Sequence, residues 1–155
     1  MAIAMTTLAI QRCLLVDIKH MVLFYPVTDT HIKMPSYTTF RDAPFLPADT
    51  LRWMIDAFLP NTADRENALT SPLSFLEDEV LARFPPTSIF LADLDPLVDE
   101  GRAFGRRLQN VGVDVAVVKA EGQIHAFALV KRVRGSATAR AVVQLAASKM
   151  RDAFF

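Results

Sequence analysis

The sequence has few of the features that mark several common protein classes. Its single cysteine, Cys13, excludes an internal disulfide framework and a zinc site built from cysteines. Its 17 basic and 17 acidic residues cancel, so no net charge attracts nucleic acid or an anionic membrane surface. We therefore expect neither of these partners, and the lone thiol is typical of a reducing compartment such as the cytoplasm.

The chain also lacks a targeting or membrane-spanning pattern at its start. The apolar residues 1–10 have no basic region before them and are too few to cross a bilayer. Because residues 1–13 are rich in Ala, Met and Leu and contain no Gly or Pro, they predict a helix, which begins without a capping residue.

Continuous apolar runs predict buried strands over residues 18–27, 87–92 and 113–120. Elsewhere apolar residues recur at helical spacing, which predicts helices over residues 48–59, 97–111 and 137–154 and a short one near 76–83. Strands that alternate with helices indicate the α/β class, with parallel strands covered on both faces. We expect residues 1–155 to form a single domain in which residues 28–86 are a long connection.

Charge and apolar spacing refine two of these helices. Asp99 and Glu100 fall in the first turn of the helix over 97–111, where negative charge complements the helix dipole. The residues expected to face inward from the last helix are Val142, Leu145, Ala146, Met150 and Ala153.

Two polar residues follow neighbouring strands of the predicted sheet. Asp95 comes after the second strand and His125 after the third, and ligands of parallel sheets bind beyond the carboxyl ends of the strands. A carboxylate that accepts from one imidazole nitrogen leaves the other nitrogen able to take a proton from a nucleophile. Two simpler interpretations stay open: the Asp-Pro step starts a helix, and the histidine is packed or lies at the surface.

A family resemblance supports the catalytic interpretation. Residues 85–127, PPTSIFLADLDPLVDEGRAFGRRLQNVGVDVAVVKAEGQIHAF, resemble the C-terminal signature of the hormone-sensitive-lipase-like esterases, the α/β-hydrolase fold-3 family. That signature has PPT before a strand, then D-P-L-x-D-E-G and later G-x-x-H-G-F. Upstream, residues 23–29, LFYPVTD, resemble the family's strand that ends in Tyr-Pro.

The resemblance implies a fold, an activity and roles for individual residues. It implies the C-terminal part of an α/β-hydrolase fold with three parallel strands, and hydrolysis of small-molecule carboxylic esters. Asp95 would be the triad acid and His125 the general base, while Asp99 would support the loop or cap the helix. Gly122 would permit the turn that presents His125, and Ala126 stands where the family usually has glycine.

The nucleophile that completes this triad is absent from the sequence. The family carries its serine in a G-D-S-A-G-G elbow and its oxyanion donors in an H-G-G-G loop, and neither occurs here. Only Gly101 and Gly105 have the G-x-S-x-G spacing, and Ala103 lies between them. We therefore expect the chain to begin just after the nucleophile, to lack the N-terminal strands, and to show little turnover alone.

Two other functions are considered. The chain would be a non-catalytic fragment or interaction module if the open edge of the strand over 18–27 pairs with another strand, including one from a second copy. The run that contains Asp93 and Asp95 also faintly resembles the D-x-D strand end of haloacid-dehalogenase-type phosphotransferases, which use magnesium. There Asp93 would be the nucleophile, but Pro96-Leu97 replaces the expected small polar pair.

The remaining histidines and aromatic residues give weaker signals. His20 and His31 have no metal-ligand spacing, so we expect no metal and no cofactor. Four aromatic residues of the long connection either line a pocket or pack in the core: Tyr37, Phe40, Phe45 and Trp53.

Overall fold

The computed structural model describes residues 1–31 and 33–154. It contains a sheet of three parallel strands in the order β1-β2-β3, which confirms the α/β class and the three-stranded parallel sheet. The strands are β1 (Met21–Phe24), β2 (Thr87–Leu94) and β3 (Val115–Ile124). The helices are α1 (Ala2–Gln11), α2 (Ser36–Thr39), α3 (Ala48–Phe58), α4 (Pro72–Phe75), α5 (Asp78–Leu81), α6 (Val98–Asn110) and α7 (Ala137–Phe154), with a 3-10 turn at Thr62–Arg65.

The sheet buries both of its faces. On one face Ile89 and Leu91 of β2 pack with Phe104 and Leu108 of α6. On the other face the β2 residue Phe90 belongs to a cluster with residues of α7. This two-sided burial explains why the strands read as continuous apolar runs and do not alternate with polar residues.

Helix α6 lies unusually close to the sheet. A Cβ atom added at Gly105 would lie 2.4 Å from Cγ2 of Val117, and one added at Gly101 would lie 2.5 Å from Cδ2 of Leu91. Gly101 and Gly105 have the spacing of a nucleophile elbow but no serine between them. Their role in the structure is to let α6 approach β2 and β3. Gly112, with φ of +89°, follows the helix and ends it as predicted.

The strand bounds differ from the prediction: β1 is shorter at both ends, whereas β2 and β3 run further at their carboxyl ends. β1 begins at Met21, which pairs with Thr87, the first residue of β2, so residues 18–20 have no register partner in the sheet. It ends at Phe24 because Tyr25 adopts a φ of +38°, outside the extended range. β2 and β3 continue beyond the predicted ends, to Leu94 and Ile124, because they pair with each other that far.

The connection between β1 and β2 is held by Glu100, which sequence spacing assigned to the helix dipole. Its side chain is instead fully buried. Oε1 accepts hydrogen bonds from the backbone N–H groups of Thr28 at 2.6 Å and Asp29 at 3.3 Å, and Oε2 accepts from the hydroxyl of Tyr37 at 2.8 Å. Burial raises the pKa of Glu100 to about 7, although these hydrogen bonds oppose the rise.

Helix α7 has the predicted bounds but a narrower buried stripe. Ala139, Val142 and Ala146 are buried, whereas Leu145 is 39% exposed and Met150 is 49% exposed, so the expectation that these two face inward is wrong. The α7 residues that are buried in the cluster with Phe90 of β2 all have short side chains. Within the described residues, no helix has the length and apolar character needed to cross a bilayer.

Candidate active site

Asp95 and His125 meet at the carboxyl end of the sheet. Each is the first residue after a strand, and the last residues of those strands, Leu94 and Ile124, are register partners. The distance between Asp95 Oδ2 and His125 Nδ1 is 2.8 Å. The other carboxylate oxygen, Oδ1, accepts the backbone N–H of Leu97 at 3.0 Å. The structure therefore joins the two residues that the sequence singled out.

Their burial suits an acid that orients a base. The side chain of Asp95 is 1% exposed, and that of His125 is 17% exposed. A buried carboxylate that accepts from Nδ1–H fixes the imidazole tautomer with its lone pair on Nε2 and stabilises the imidazolium. No described residue hydrogen-bonds to Nε2, so this nitrogen can accept a proton.

Two aromatic rings enclose the imidazole of His125. The ring of Tyr25 lies 4.6 Å from it between centroids, and the ring of Phe45 lies 6.4 Å away and nearly parallel to it. Burial, and then the charge of Asp95, raise the pKa of the Tyr25 phenol, so Tyr25 stays neutral. Phe45 is 60% exposed, which makes its ring an accessible apolar wall beside the base.

The backbone around His125 is strained. Four described residues other than glycine have positive φ angles, and three of them adjoin His125: Tyr25 at +38°, Phe45 at +75° and Ala126 at +60°. Left-handed backbone costs free energy in residues with a side chain, and such strain concentrates at functional sites. The value at Ala126 also explains why glycine suits this position in the family. The extra methyl group does not displace His125 from Asp95.

The serines of the described chain are engaged away from His125. The Ser36 hydroxyl donates to the Pro96 carbonyl at 2.5 Å. Four other serines form hydrogen bonds through their hydroxyls: Ser71 with Thr30, Ser74 with Asp29, Ser88 with His20 and Ser136 with Gln123. Ser148 lies on α7 and makes no hydrogen bond with its side chain among the described residues. None of these hydroxyls contacts the general-base candidate, in line with the missing elbow.

The secondary candidates lie elsewhere or hold the structure together. Asp99 Oδ2 accepts the backbone N–H of Ser36 at 3.0 Å, so this residue ties the long connection to α6. His31 is exposed, 3.8 Å from Glu66, and His20 bonds to Ser88. Asp93 binds Lys119 and the Gly122 N–H, so its carboxylate is occupied. Within residues 1–31 and 33–154, no three His, Cys, Asp or Glu side chains group as metal ligands.

The aromatic candidates separate into two kinds. Tyr37 is buried and Phe40 packs against the core, whereas Trp53 is exposed and Phe45 adjoins His125. Sequence reasoning did not connect Phe45 or Tyr25 with the base. The Tyr-Pro step at a strand end was the available signal for Tyr25, since strand ends border the site. Nothing local distinguished Phe45 from the other aromatic residues of the connection.

A parallel sheet with an aspartate and then a histidine at adjacent carboxyl ends is the arrangement found in α/β hydrolases, where these residues follow the serine in the chain. The chain belongs to the α/β hydrolase fold family: the sequence model with that description matches residues 1–129. The resemblance to the fold-3, hormone-sensitive-lipase-like branch is thereby confirmed. The family assignment and the contact between Asp95 and His125 agree, and neither of them depends on the serine that the chain lacks.

Several known proteins similar to the chain are named esterases. It is 59% identical over 154 residues to an esterase of Gibberella moniliformis, covering 99% of this chain and 48% of that protein. A crystal structure of carboxyl esterase 2 from Tuber melanosporum superposes with a TM-score of 0.94 at 34% identity, over 98% of this chain and 50% of that one. Brefeldin A esterase, a bacterial homologue of human hormone sensitive lipase, gives a TM-score of 0.87 at 28% identity, over 98% and 44%. The chain therefore spans about half the length of these relatives.

Proposed function

We propose that the chain supplies the acid and the base of a serine carboxylic ester hydrolase. The observation that carries this proposal is the 2.8 Å contact of Asp95 with His125 Nδ1, which leaves Nε2 without a hydrogen-bond partner among the described residues. Relatives named esterases support the reaction class. The proposal places the reaction in the cytoplasm, where Cys13, an exposed free thiol, stays reduced.

In the proposed mechanism, His125 Nε2 removes the proton of a serine hydroxyl as its oxygen attacks the ester carbonyl carbon. Asp95 stabilises the resulting imidazolium through Nδ1–H. Collapse of the tetrahedral intermediate breaks the ester C–O bond, and His125 returns the proton to the leaving alcohol. Water, deprotonated by the same nitrogen, then hydrolyses the acyl-enzyme. The serine and the oxyanion donors come from polypeptide outside these 155 residues.

The proposed substrate is an ester with small or medium acyl groups. The wall next to the base is apolar, because the exposed ring of Phe45 lies almost parallel to the imidazole. Such a surface favours an uncharged organic group over water next to the reacting carbonyl. Tyr25, neutral and half-buried, adds a second aromatic ring 4.6 Å from the imidazole between centroids.

A chimera tests the proposal. The part of the Gibberella moniliformis esterase that this chain does not span would be fused to residues 1–155, and short p-nitrophenyl esters would report hydrolysis. We expect the chimera to turn over, the chain alone to match its own His125→Gln variant, and His125→Gln to abolish turnover in the chimera. The expected loss for Asp95→Asn is about 10⁴-fold in kcat, because the tautomer is wrong.

Two results would contradict the proposal. One is hydrolysis by the isolated chain above its His125→Gln control, which would mean that the nucleophile lies within it. The other is a folded chimera, verified by circular dichroism, that labels with a serine-directed phosphonate yet hydrolyses no ester.

A second candidate function is association through the edge of β1. In the described residues β1 pairs with β2 on one side and with no strand on the other. Met21 N–H and Tyr25 N–H bond to the β2 side, so the alternation of a strand turns the N–H groups of Val22 and Phe24 outward. A second copy could pair there.

A proline at position 22, whose N–H group points away from β2, tests self-association separately from catalysis. Val22→Pro removes an outward donor without breaking a bond to β2. If the edge mediates self-association, light scattering after size-exclusion chromatography should show oligomers for the unmodified chain and a lower mass for Val22→Pro. A monomeric unmodified chain would rule this function out.

A further inference from the structure

We propose that Asp93 is a positioning residue for His125: its carboxylate holds open a bulge in β3 without which the base would not reach Asp95. The inference rests on the proposed ester hydrolysis for its catalytic meaning. The geometry behind it is independent of that function.

The bulge appears in the register between β2 and β3. Ala92 pairs with Ala120, but Leu94 pairs with Ile124, so Asp93 alone lies opposite residues 121–123. With an unbroken register Leu94 would pair with Gly122, and Gln123 would follow beside Asp95. The two additional residues of β3 keep side chains on their original faces, because a strand alternates with period two. They move His125 into the place next to Asp95.

Gly122 gives the bulge its conformation. Its φ is +68°, a left-handed value that glycine adopts at little cost. A Cβ built on this residue would meet nothing within 4 Å, so backbone conformation and not space requires the glycine. The ladder is interrupted here, and the Gly122 N–H bonds to a side chain in place of a strand partner.

Asp93 provides that side chain. Oδ2 accepts the N–H of Gly122 at 3.2 Å, while Oδ1 binds the ammonium group of Lys119, which precedes the bulge on β3. The hydrogen bond from Lys119 is the main reason why the pKa of Asp93 lies below its usual range. Asp93, two residues before Asp95, therefore binds β3 at two points: at Lys119 before the bulge and at Gly122 within it.

The far side of the bulge is anchored separately. Gln123 is buried, and its Oε1 accepts the hydroxyl of Ser136, which also accepts the backbone N–H of Ala139 at the start of α7. With residue 123 fixed to α7 and residue 122 fixed to Asp93, the chain leading to His125 has contacts on both sides. The position of Asp93 at one of these two contacts distinguishes its ion pair with Lys119 from the other surface ion pairs of the protein.

Nitrogen-15 and proton NMR of the histidine rings tests the assignment at a fixed pH. Substitution of His20, His31 and His125 by Gln assigns the three ring systems. In the unmodified chain we expect one Nδ1–H tautomer of His125 and a downfield Nδ1–H proton. Asp93→Ala should lose that proton signal, whereas Asp93→Asn, whose amide oxygen still accepts from Gly122, should keep it.

A matched control removes another carboxylate. Asp56→Ala breaks the ion pair of Asp56 with Arg65, which are 2.8 Å apart on another part of the surface, and should leave the His125 signals unchanged. Loss of the signal in Asp93→Asn as well as Asp93→Ala would assign the effect to charge and overturn the proposal. An unchanged signal in Asp93→Ala would also overturn it.

A second measurement needs no destabilising variant. The Gly122 backbone lies at the exposed surface, yet its amide should exchange slowly with solvent in the unmodified chain and in Asp93→Asn. Fast exchange in the unmodified chain would overturn the proposal even if Asp93→Ala fails to fold. In the esterase chimera, Asp93→Ala should lower kcat by about 10²-fold with little change in KM. If the chimera proves inactive, the proposed function as an ester hydrolase is contradicted, whereas the NMR result still decides whether Asp93 positions His125.

Discussion

The phenol of Tyr37 donates a 2.8 Å hydrogen bond to Oε2 of Glu100, and both groups are buried. Through this bond and those from Thr28 and Asp29, one carboxylate of α6 fastens the start of the long connection to helix α2. No cation hydrogen-bonds to Glu100 among the described residues. The group therefore gains from neutralisation, in contrast to a carboxylate in an ion pair.

Glu100 makes stability fall as the pH rises from acid toward neutrality. Its pKa is about 7 in the folded protein against an ordinary value of 4.5, so the folded protein binds this proton more tightly than the unfolded chain. The contribution is complete below pH 4.5 and is lost as the pH rises to about 7. We expect a loss of about 3 kcal/mol over that interval. Urea denaturation at several pH values measures it.

Glu100→Gln is the matched variant for this effect. Its amide oxygen can accept from Thr28 and its amide group can donate to Tyr37, so the fold is retained without the titrating proton. The difference in unfolding free energy between the two proteins should change with pH in the stated direction. A pH-independent difference would show that Glu100 does not titrate abnormally.

Two glycines that differ only in backbone conformation test the bulge. Gly122→Ala should lower the free energy of unfolding by about 1–2 kcal/mol, because alanine pays for the positive φ. Gly135 is also exposed, a Cβ there also meets nothing within 4 Å, and its φ is not positive. Gly135→Ala should therefore be neutral or slightly stabilising. Equal costs at the two sites in chemical denaturation would contradict the strained-bulge explanation.

Arg107 and Arg106 are neighbours on α6 with different expected costs. The Arg107 guanidinium donates to the carbonyls of Pro72 at 3.0 Å and Leu73 at 2.9 Å, and also to that of Leu76, next to helix α4. Arg107→Met removes these bonds and the ion pair with Asp78, although the Pro72 carbonyl keeps the backbone N–H of Leu76 as a donor, and should cost about 1–3 kcal/mol. Arg106 is exposed, so Arg106→Met should change stability by less than about 0.5 kcal/mol. Thermal and urea unfolding of both variants compare them directly.

Phe45 carries backbone strain together with an exposed ring. Phe45→Ala and Phe45→Gly both remove the ring, but only glycine relieves the φ of +75°. The glycine variant should therefore be about 1 kcal/mol more stable than the alanine variant. In the esterase chimera both should hydrolyse small esters less efficiently than the unmodified protein, since the apolar wall is gone. If alanine is the more stable of the two, the left-handed conformation is not maintained in solution.

The meeting of Asp95 and His125 at one edge of the sheet could be predicted because this prediction needed little accuracy in the strand ends. Asp95 and His125 follow apolar runs whose neighbouring strands end at one edge, and errors of two to four residues in the strand ends left that relation intact. The Pro85–Phe127 signature added the family. The three parallel strands and α6 and α7 were accessible for the same reason, because burial on both faces produces long apolar runs.

Features that depend on distant contacts could not be predicted. The burial of Glu100 depends on Thr28 and Tyr37, which are 72 and 63 residues away in the sequence. The bulge opposite Asp93 depends on the register of two strands, which neither strand encodes alone. Likewise, nothing in the spacing of α7 indicated that Leu145 would stay exposed where the helix meets the sheet.

The βαβ arrangement of β2, α6 and β3 places Asp95 and His125 on one short, continuous stretch of the chain. Asp95 and His125 are 30 residues apart, and the elements that bring them together are consecutive in the chain. Contacts of this range form with a small loop-closure entropy, and such units tend to open and close as one cooperative segment. The Phe45 wall, in contrast, belongs to the long connection. During partial unfolding the Phe45 ring should leave the site first, so the contact between Asp95 and His125 would outlast its apolar neighbour.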